Sequence, residues 1–315
     1  MKRIVIFGGT GFVGRHLIDR VRPHDESALI TIVSRNPPLF VLPKGLDWFQ
    51  WDASADVFPD VGVFDAAIHA ATPARASLFD EQPEAMFEQM LNGVRGVLKA
   101  CERQKSAPRL LFTSSGAVYG TMPPRKRCWN ERDPLAHGSM RSVGTYARGK
   151  QLAEEMVLDA FNRGECEAVI VRLFAFSGRH LPLDAHFAVG NFVGNVLRGD
   201  PIDVRGDGTP VRSYMDGDEM ADWIWKALFS DKLVGRVVNI GSENQISIRD
   251  LAFLVADIAE QEFGVCHFVR FRDSVSSIDG TQRYVPSTRL IRRLLGVVET
   301  SDLRSSISTM IRSHR

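Results

Sequence analysis

Tyr146 and Lys150 are the two residues whose types and spacing most directly suggest chemistry. Residues four positions apart lie on one face of a helix, one turn from each other, and an ammonium group beside a phenol favours the phenolate. A tyrosine, whose ordinary pKa is about 10, would thereby become a useful acid or base near neutral pH. The pair predicts proton transfer, and a half-buried tyrosine beside a surface lysine is the alternative that the spacing alone leaves open.

Three hydroxyl groups, on Thr113, Ser114 and Ser115, stand at the end of the apolar run that begins at Leu110. Where a strand of a parallel sheet ends, a side chain points into the crevice in which such sheets bind their ligands. Serine and threonine also cap helices and bond to turns, which is the alternative role. The hydroxyls favour a ligand site because they come in order between a glycine turn and the Tyr146–Lys150 pair.

That glycine turn, Gly8–Gly14, lies between the apolar run Ile4–Phe7 and a helical pattern over Phe12–Val21. Its spacing, G-x-x-G-x-x-G, is a variant of the dinucleotide fingerprint. Glycines allow the backbone to approach a ligand closely, and the N–H groups and dipole at the start of a helix attract a diphosphate. The sequence therefore predicts a bound dinucleotide, with a simple tight turn as the alternative.

The residues after the second apolar run, Ile30–Val33, bear on which dinucleotide is bound. Folds that prefer NAD usually place an acid there to bind the ribose hydroxyls, whereas this chain has Ser34 and Arg35. The Arg35 guanidinium would suit a 2′-phosphate. We therefore predict NADP(H), with NAD(H) as the alternative.

Two further features are assigned no chemistry. Gly144–Lys150 imitates a phosphate-binding loop, but Gln151 stands where Ser or Thr would bind magnesium, and no strand precedes it. His69 ends the fourth apolar run, where a packed histidine is expected. We predict no metal site.

Short apolar runs alternate with helical patterns through the first half of the chain, which predicts a parallel sheet with helices on both faces. The predicted strands are Ile4–Phe7, Ile30–Val33, Leu46–Gln50, Ala66–His69, Leu110–Thr113, Ala168–Leu173 and, later, Val237–Ile240. The predicted helices are Phe12–Val21, ended by Pro23, then Glu84–Gln104, Thr145–Arg163, His186–Arg198, Asp218–Phe229, and one beginning at Ser247.

The fold class predicted from this order is α/β, a Rossmann-type doubly wound parallel sheet with a smaller mixed α/β C-terminal lobe for substrate. The dinucleotide-binding domain is expected over residues 1–173, with 213–241 returning to it. The substrate lobe is expected over 174–212 and 242–315, whose end, 283–315, is basic and weakly helical.

Composition excludes several classes of protein. The chain has 315 residues, 44% of them hydrophobic, and a formal net charge of +1, so bulk charge indicates no nucleic-acid or membrane partner. No apolar run is long enough for a signal-peptide core or a membrane span. The four cysteines lie far apart and predict reduced thiols. We expect a cytoplasmic location.

Taken together, these pieces resemble the extended short-chain dehydrogenase/reductases, in the branch of nucleotide-sugar epimerases, dehydratases and reductases. The resemblance covers nearly the full length. It is carried by Gly8–Gly14, Asp52-Ala53, His69-Ala70-Ala71, Thr113–Gly120, the Tyr146–Lys150 pair, and Arg212-Ser213-Tyr214 after Gly206–Gly208.

The resemblance implies a role for each matched residue. Ser115 would hydrogen-bond the reacting sugar oxygen, Tyr146 would be the general acid or base, and Lys150 would hold the nicotinamide ribose and tune Tyr146. The expected cofactor contacts are Gly8, Thr10, Gly11, Phe12, Val13, Gly14, Ser34, Arg35, Asp52, Ala53, Ala70, Ala71, Thr72 and Lys150. The expected contacts to the nucleotide-diphosphate part of a sugar substrate are Asn191, Val204 and Arg212. The helices near residues 84–104 and 146–163 would pair in a homodimer.

The chain also departs from the family pattern. Family 4,6-dehydratases carry an Asp-Glu pair directly after the catalytic threonine, where this chain has Gly116 and Ala117, and Ala175 replaces the asparagine usual after the sixth strand. We therefore predict an NADP(H)-dependent reductase of a nucleotide-linked keto-sugar, with a 4-keto-6-deoxyhexose as the expected substrate. The first alternative is a nucleotide-sugar C4 epimerase with retained NAD. A dehydratase, a non-catalytic NAD(P)-binding regulator and a ketoreductase of apolar substrates are less favoured.

Overall fold

A seven-stranded parallel sheet forms the centre of the computed structural model. The structure describes residues 2–21, 24, 27–53, 59–72, 81–138, 140–185, 187–272 and 282–315. In chain order the strands are β1 (Arg3–Phe7), β2 (Leu29–Ser34), β3 (Leu46–Gln50), β4 (Ala66–His69), β5 (Arg109–Ser115), β6 (Glu167–Leu173), β7 (Ala175–Ser177), β8 (Ile202–Arg205), β9 (Val211–Asp216), β10 (Arg236–Ile240), β11 (Gln245–Ser247), β12 (Val269–Arg272) and β13 (Arg283–Tyr284).

The central sheet has the order β10-β6-β5-β4-β1-β2-β3, and each neighbouring pair is parallel. All seven predicted strands are present in it, which confirms the predicted Rossmann-type sheet. The strands read as continuous apolar runs because helices cover both faces. In β4, for example, all four residues are buried.

The helices that cover this sheet lie in pairs. In chain order the helices are α1 (Phe12–Arg20), α2 (Pro83–Glu102), α3 (Met140–Val143), α4 (Thr145–Asn162), α5 (Ala188–Arg198), α6 (Gly217–Leu228), α7 (Ile248–Phe263), α8 (Arg289–Leu295) and α9 (Leu303–Ser313). Helices α1 and α6 pack together on one face, and α2 and α4 pack together on the other. The predicted helix stop at Pro23 lies outside the described residues.

A smaller set of strands and helices forms the rest of the chain. Strand β9 pairs with β7, β11 and β13, and β12 pairs with β8. Helices α5, α7 and α9 share an apolar cluster with these strands. Ser247 caps α7, accepting a hydrogen bond from the Asp250 N–H at 3.0 Å, as its position predicted. The predicted start of α5 at His186 lies outside the described residues.

The C-terminal segment, residues 283–315, is more structured than its weak helical pattern indicates. It contains β13, α8 and α9, and Ile291, Ile307 and Met310 are fully buried. In the part of the chain that the structure describes, no helix combines the length and the apolar character needed to cross a membrane. The predicted domain boundaries stay predictions.

Candidate active site

The turn between β1 and α1 contains glycines that are required for different reasons. Gly8 has a φ of +88°, and a β-carbon there would lie 2.6 Å from the Ala70 carbonyl carbon. A β-carbon at Gly14 would overlap the backbone of Gly8. Gly11, in contrast, has ordinary extended backbone angles, and its β-carbon would meet only the Gly8 oxygen, at 3.4 Å. Packing within the protein explains Gly8 and Gly14, whereas Gly11 leaves room for a ligand.

The start of α1 fits the diphosphate of a dinucleotide. The first N–H groups of a helix have no partner inside it, and Gly11, at the N-cap, offers no side chain to bind them. Thr10 stands in the turn itself, and Phe12 and Val13 open the helix. The residues present therefore suit an anion at the position that the glycine spacing predicted.

Two short segments flank this turn at the same edge of the sheet. Ala70 and Ala71 follow β4 and pass directly against Gly8. Ala53 follows β3, and a β-carbon on Gly93 would lie 3.6 Å from Ala53 and 3.9 Å from the Ala71 oxygen. The structure thus brings these predicted cofactor residues together, and Asp52 stands next to Ala53, partly buried.

The two predicted cofactor residues at the end of β2 lie in different surroundings. Ser34 is buried, and its hydroxyl donates to the Asn36 carbonyl at 2.8 Å and accepts from Trp48 Nε1 at 3.0 Å. That hydroxyl is already engaged within the protein. Arg35 is exposed and forms no ion pair with any residue that the structure describes, so its guanidinium is available at this edge.

Lys150 lies buried beneath the crevice rather than on the surface. Its Nζ donates to the Thr113 carbonyl oxygen at 2.7 Å and to Thr72 Oγ1 at 2.9 Å. These contacts tie α4 to the end of β5 and to the segment after β4. Burial lowers the pKa of Lys150 to about 7, although the Glu154 carboxylate raises it in part. The structure thus brings together Lys150 and Thr72, two predicted cofactor contacts.

Tyr146 and Ser115 face each other where β5 ends and α4 begins. Ser115 ends β5, Tyr146 lies in the first turn of α4, and their side chains are hydrogen-bonded. Burial raises the pKa of Tyr146, and the bond from Ser115 lowers it in part. The prediction that Lys150 lowers the Tyr146 pKa is wrong for this structure. Lys150 Nζ is 6.0 Å from the Tyr146 ring centre and points to other partners, so desolvation decides the direction.

The three predicted substrate residues lie in different surroundings. Arg212, on β9, is partly buried and donates only to backbone oxygens, those of Val211 and Gln282. It has no ion-pair partner among the described residues, as expected for a cation that binds an anionic ligand. Asn191 is partly buried on α5, whereas Val204 is fully buried in the apolar cluster of α5, α7 and α9. Their contacts with substrate stay predictions, and Val204 has no exposed surface to offer.

Sequence reasoning missed Tyr284, whose phenolic oxygen lies 3.3 Å from Ser115 Oγ. It also missed the buried Glu154–Arg172 ion pair behind the crevice. Neither carries a local pattern that would have revealed it, because Tyr284 and Arg172 reach the site through strand pairing with distant parts of the chain.

Comparison with known proteins agrees with this geometry. Residues 4–241 match the family model described as the NAD dependent epimerase/dehydratase family. The chain is 24% identical over 317 residues to UDP-glucuronic acid decarboxylase 6 of Arabidopsis thaliana, covering 98% of this chain and 87% of that relative. It is 25% identical over 324 residues to UDP-glucuronic acid decarboxylase 1 of Xenopus tropicalis, covering 100% and 72%.

Solved structures share the fold over the whole chain. The epimerase Mth375 of Methanothermobacter thermautotrophicus superimposes with a TM-score of 0.84 at 20% identity, covering 99% of this chain and 91% of that one. UDP-glucuronic acid 4-epimerase of Bacillus cereus, solved with UDP-glucuronic acid and NAD, gives 0.81 at 19% identity, covering 99% and 98%. The chain is therefore an enzyme of the NAD dependent epimerase/dehydratase family, as the resemblance predicted.

Proposed function

We propose that this enzyme is an NAD(P)-dependent C4 epimerase of a UDP-sugar. The observation that carries the proposal is the hydrogen-bonded pair of Ser115 and Tyr146, followed by Gly116 and Ala117 instead of acidic residues. One acid–base group suffices for an epimerase, because the proton removed when a sugar hydroxyl is oxidised returns when the ketone is reduced. Elimination of water would need a second acid–base group.

The chain's own residues have defined tasks in this reaction. The turn Gly8–Gly14, the segment Ala70–Thr72 and Lys150 would hold NAD(P), which when bound supplies hydride acceptance and donation. Tyr146, as phenolate, would take the proton of the sugar hydroxyl and later return it. Ser115 would orient the sugar oxygen, and Arg212, which has no carboxylate partner among the described residues, would pair with the diphosphate.

The names of the relatives support the substrate class. Several curated relatives are named UDP-glucuronic acid decarboxylases, and several structural neighbours are UDP-sugar 4-epimerases. One neighbour of this kind, from Thermus thermophilus, was solved with NAD. The 4-epimerase names support the epimerase, the first alternative given above, over the predicted keto-sugar reductase, whereas the decarboxylase names support only a UDP-sugar substrate.

A second candidate, an NADP(H)-dependent reductase of a keto-sugar, is favoured by one feature. Arg35 is exposed at the end of β2, where no acid is present to bind ribose hydroxyls. A reductase exchanges its cofactor after every turnover, whereas an epimerase regenerates it in the site. The identity and retention of the nucleotide therefore distinguish the two candidates.

The test uses the purified enzyme without added cofactor. The nucleotide released on denaturation is identified, and the intact enzyme is incubated with UDP-glucose, UDP-galactose and UDP-glucuronic acid, with products resolved by anion-exchange chromatography and NMR. We expect retained NAD and formation of the C4 epimer of at least one sugar. Tyr146→Phe should lose epimerisation while it still retains the nucleotide. Net oxidation of added NADPH by a keto-sugar would identify a reductase instead of an epimerase. Loss of carbon dioxide from the sugar would identify a decarboxylase.

We also propose that the enzyme is a homodimer and that it is located in the cytoplasm. The resemblance implies a homodimer through helices α2 and α4, which pack against each other within the chain. For a homodimer, light scattering of the purified enzyme would give the mass of two chains. The mass of one chain would contradict the homodimer. The expected cytoplasmic location also stays a proposal, which fractionation of cells that produce the enzyme would test.

A further inference from the structure

A second phenol lies beside Tyr146 in this site. The Tyr284 oxygen is 3.3 Å from Ser115 Oγ and 3.4 Å from the Leu173 carbonyl oxygen. Its ring packs against Phe174, with the ring centres 4.7 Å apart. Tyr284 therefore reaches the reacting end of the crevice from the C-terminal part of the chain.

The backbone holds Tyr284 in this place from both sides. Strand β13 pairs Tyr284 with Arg212 on β9. On the other side, the backbone N–H of Trp129 donates to the Val285 carbonyl oxygen at 2.8 Å. The Trp129 carbonyl oxygen accepts from the backbone N–H of Ser287 at 2.6 Å. A residue fixed by two neighbouring segments presents its phenol in a defined direction.

The hydrogen-bonding capacity of Ser115 then restricts which group donates to which. A hydroxyl has one proton to donate and two lone pairs. The Ala117 N–H already donates to Ser115 Oγ at 3.1 Å, which leaves one lone pair and one proton for Tyr146 and Tyr284. In the enzyme without bound sugar, the Tyr146 phenolate can only accept, so Ser115 donates to it. The Tyr284 O–H is then shared between the remaining lone pair of Ser115 and the Leu173 carbonyl oxygen, its other acceptor at 3.4 Å.

We propose that Tyr284 is a positioning residue of the active site, which donates to Ser115 and thereby directs the Ser115 proton towards the oxygen of Tyr146. The inference rests on the proposed function, because it concerns the acid–base group of that reaction. Burial and the nearby Tyr146 both raise the pKa of Tyr284, which favours its protonated form, the form that can donate. At 3.3 Å the bond is long, so its effect on Tyr146 is modest.

The test measures the titration of Tyr146 directly, without need of turnover. The chain has only four tyrosines, so NMR of ring-labelled tyrosine gives few signals, which Tyr→Phe variants assign. We expect Tyr284→Phe to raise the midpoint of the Tyr146 titration by about half a pH unit, because its phenolate loses support from an oriented Ser115. Tyr214→Phe is the matched control, since Tyr214 is a buried phenol on β9 in the separate apolar cluster of α5, α7 and α9.

The same variants are compared in the Ser115→Ala background. If Tyr284 acts through Ser115, Tyr284→Phe causes no further shift there. An unchanged Tyr146 midpoint in Tyr284→Phe, or an equal shift with Ser115 absent, would overturn the inference. In the epimerase assay we expect kcat to fall about five- to tenfold with KM nearly unchanged, and the acidic limb of the kcat profile to move to higher pH.

The two proposals fail in separable ways. If no UDP-sugar is epimerised by the wild-type enzyme but the Tyr146 midpoint still responds to Tyr284, only the proposed function is lost. If epimerisation occurs and the midpoint does not respond, only the role of Tyr284 is lost. A variant that unfolds is recognised by its circular dichroism, and Tyr284→Trp, which retains a ring and an N–H donor, then replaces it in the same titration.

Discussion

Glu154 and Arg172 form a buried two-point ion pair directly behind the active site. Arg172 Nε donates to Glu154 Oε1 at 2.9 Å, and Nη2 donates to Oε2 at 2.6 Å. The Ser114 hydroxyl donates to the same Oε1. Because Glu154 lies on α4, one turn after Lys150, this pair joins the catalytic helix to β5 and β6.

Replacing Glu154 by Gln leaves the Arg172 guanidinium buried without its counter-charge. Loss of one partner of a buried pair typically destabilises a protein by about 3–5 kcal/mol. We expect a loss of this size in the free energy of unfolding, measured by urea denaturation. Glu155→Gln is the matched control, because Glu155 is exposed on the same helix and its replacement should change stability by less than about 0.5 kcal/mol. Equal effects of the two replacements would contradict this account of the pair.

The buried Lys150 should make stability depend on pH in a specific direction. Its pKa is lowered from 10.5 to about 7 on folding, so between these values the unfolded chain binds more protons than the folded one. Stability contributed by this group therefore rises as the pH increases from about 7, and is lost as the pH falls through 7.

The Lys150 contribution is isolated by comparing wild type with Lys150→Met at several pH values. The difference in unfolding free energy should change in favour of wild type by up to about 1.4 kcal/mol for each pH unit between about 7 and 9. Lys105→Met, at an exposed position, should show no such slope. A wild-type curve parallel to that of Lys150→Met would mean that the lysine is charged in the folded protein throughout this range.

The glycine turn offers a test that separates folding from ligand binding. Gly14→Ala places a β-carbon onto the backbone of Gly8, and such overpacking costs about 1–3 kcal/mol of stability. Gly11→Ala meets no such obstacle within the protein and should unfold at nearly the wild-type temperature. Because its methyl group would stand where α1 begins, we expect its affinity for NAD(P) to fall at least about tenfold, as measured by calorimetry. Unchanged affinity in Gly11→Ala would place the diphosphate elsewhere.

Arg212 should matter for substrate and little for folding. It is partly buried without a carboxylate partner among the described residues, so Arg212→Met removes a desolvated charge and should leave the urea midpoint unchanged or raise it. The affinity for UDP, measured by calorimetry, should fall about ten- to a hundredfold because a charge-assisted contact to the diphosphate is lost. Arg205→Met, at an exposed position on β8, serves as the control. Equal UDP binding by both variants would assign the diphosphate to other residues.

The elements that position the site were predictable because their signals are local. A fully buried strand must be apolar along its length, so runs such as Ile30–Val33 and Ala66–His69 were visible in the sequence. The turn Gly8–Gly14 was visible because glycine spacing reflects a backbone path. Tyr146 and Lys150 are predicted in the same way, from helical spacing, whereas the strand end predicts a group of three hydroxyls from which the family resemblance selects Ser115. The family match supports the type of site that these residues predicted.

The electrostatics of the site were decided by the tertiary structure. Spacing placed Lys150 one turn from Tyr146, but only the fold shows that Lys150 points to Thr113 and Thr72, so that burial raises the Tyr146 pKa. Desolvation depends on every element packed around a group, and no local pattern records it.

Contacts between distant segments were likewise decided by the fold. Tyr284 reaches Ser115 because β13 pairs with β9, and Arg172 reaches Glu154 because β6 lies beneath α4. The sequence alone therefore determined the sheet and the glycine turn, and it predicts Ser115, Tyr146 and Lys150 as a catalytic trio, because these patterns arise within single elements. Strand pairing and burial, which join residues far apart in the chain, determined the partners and the charges of those residues.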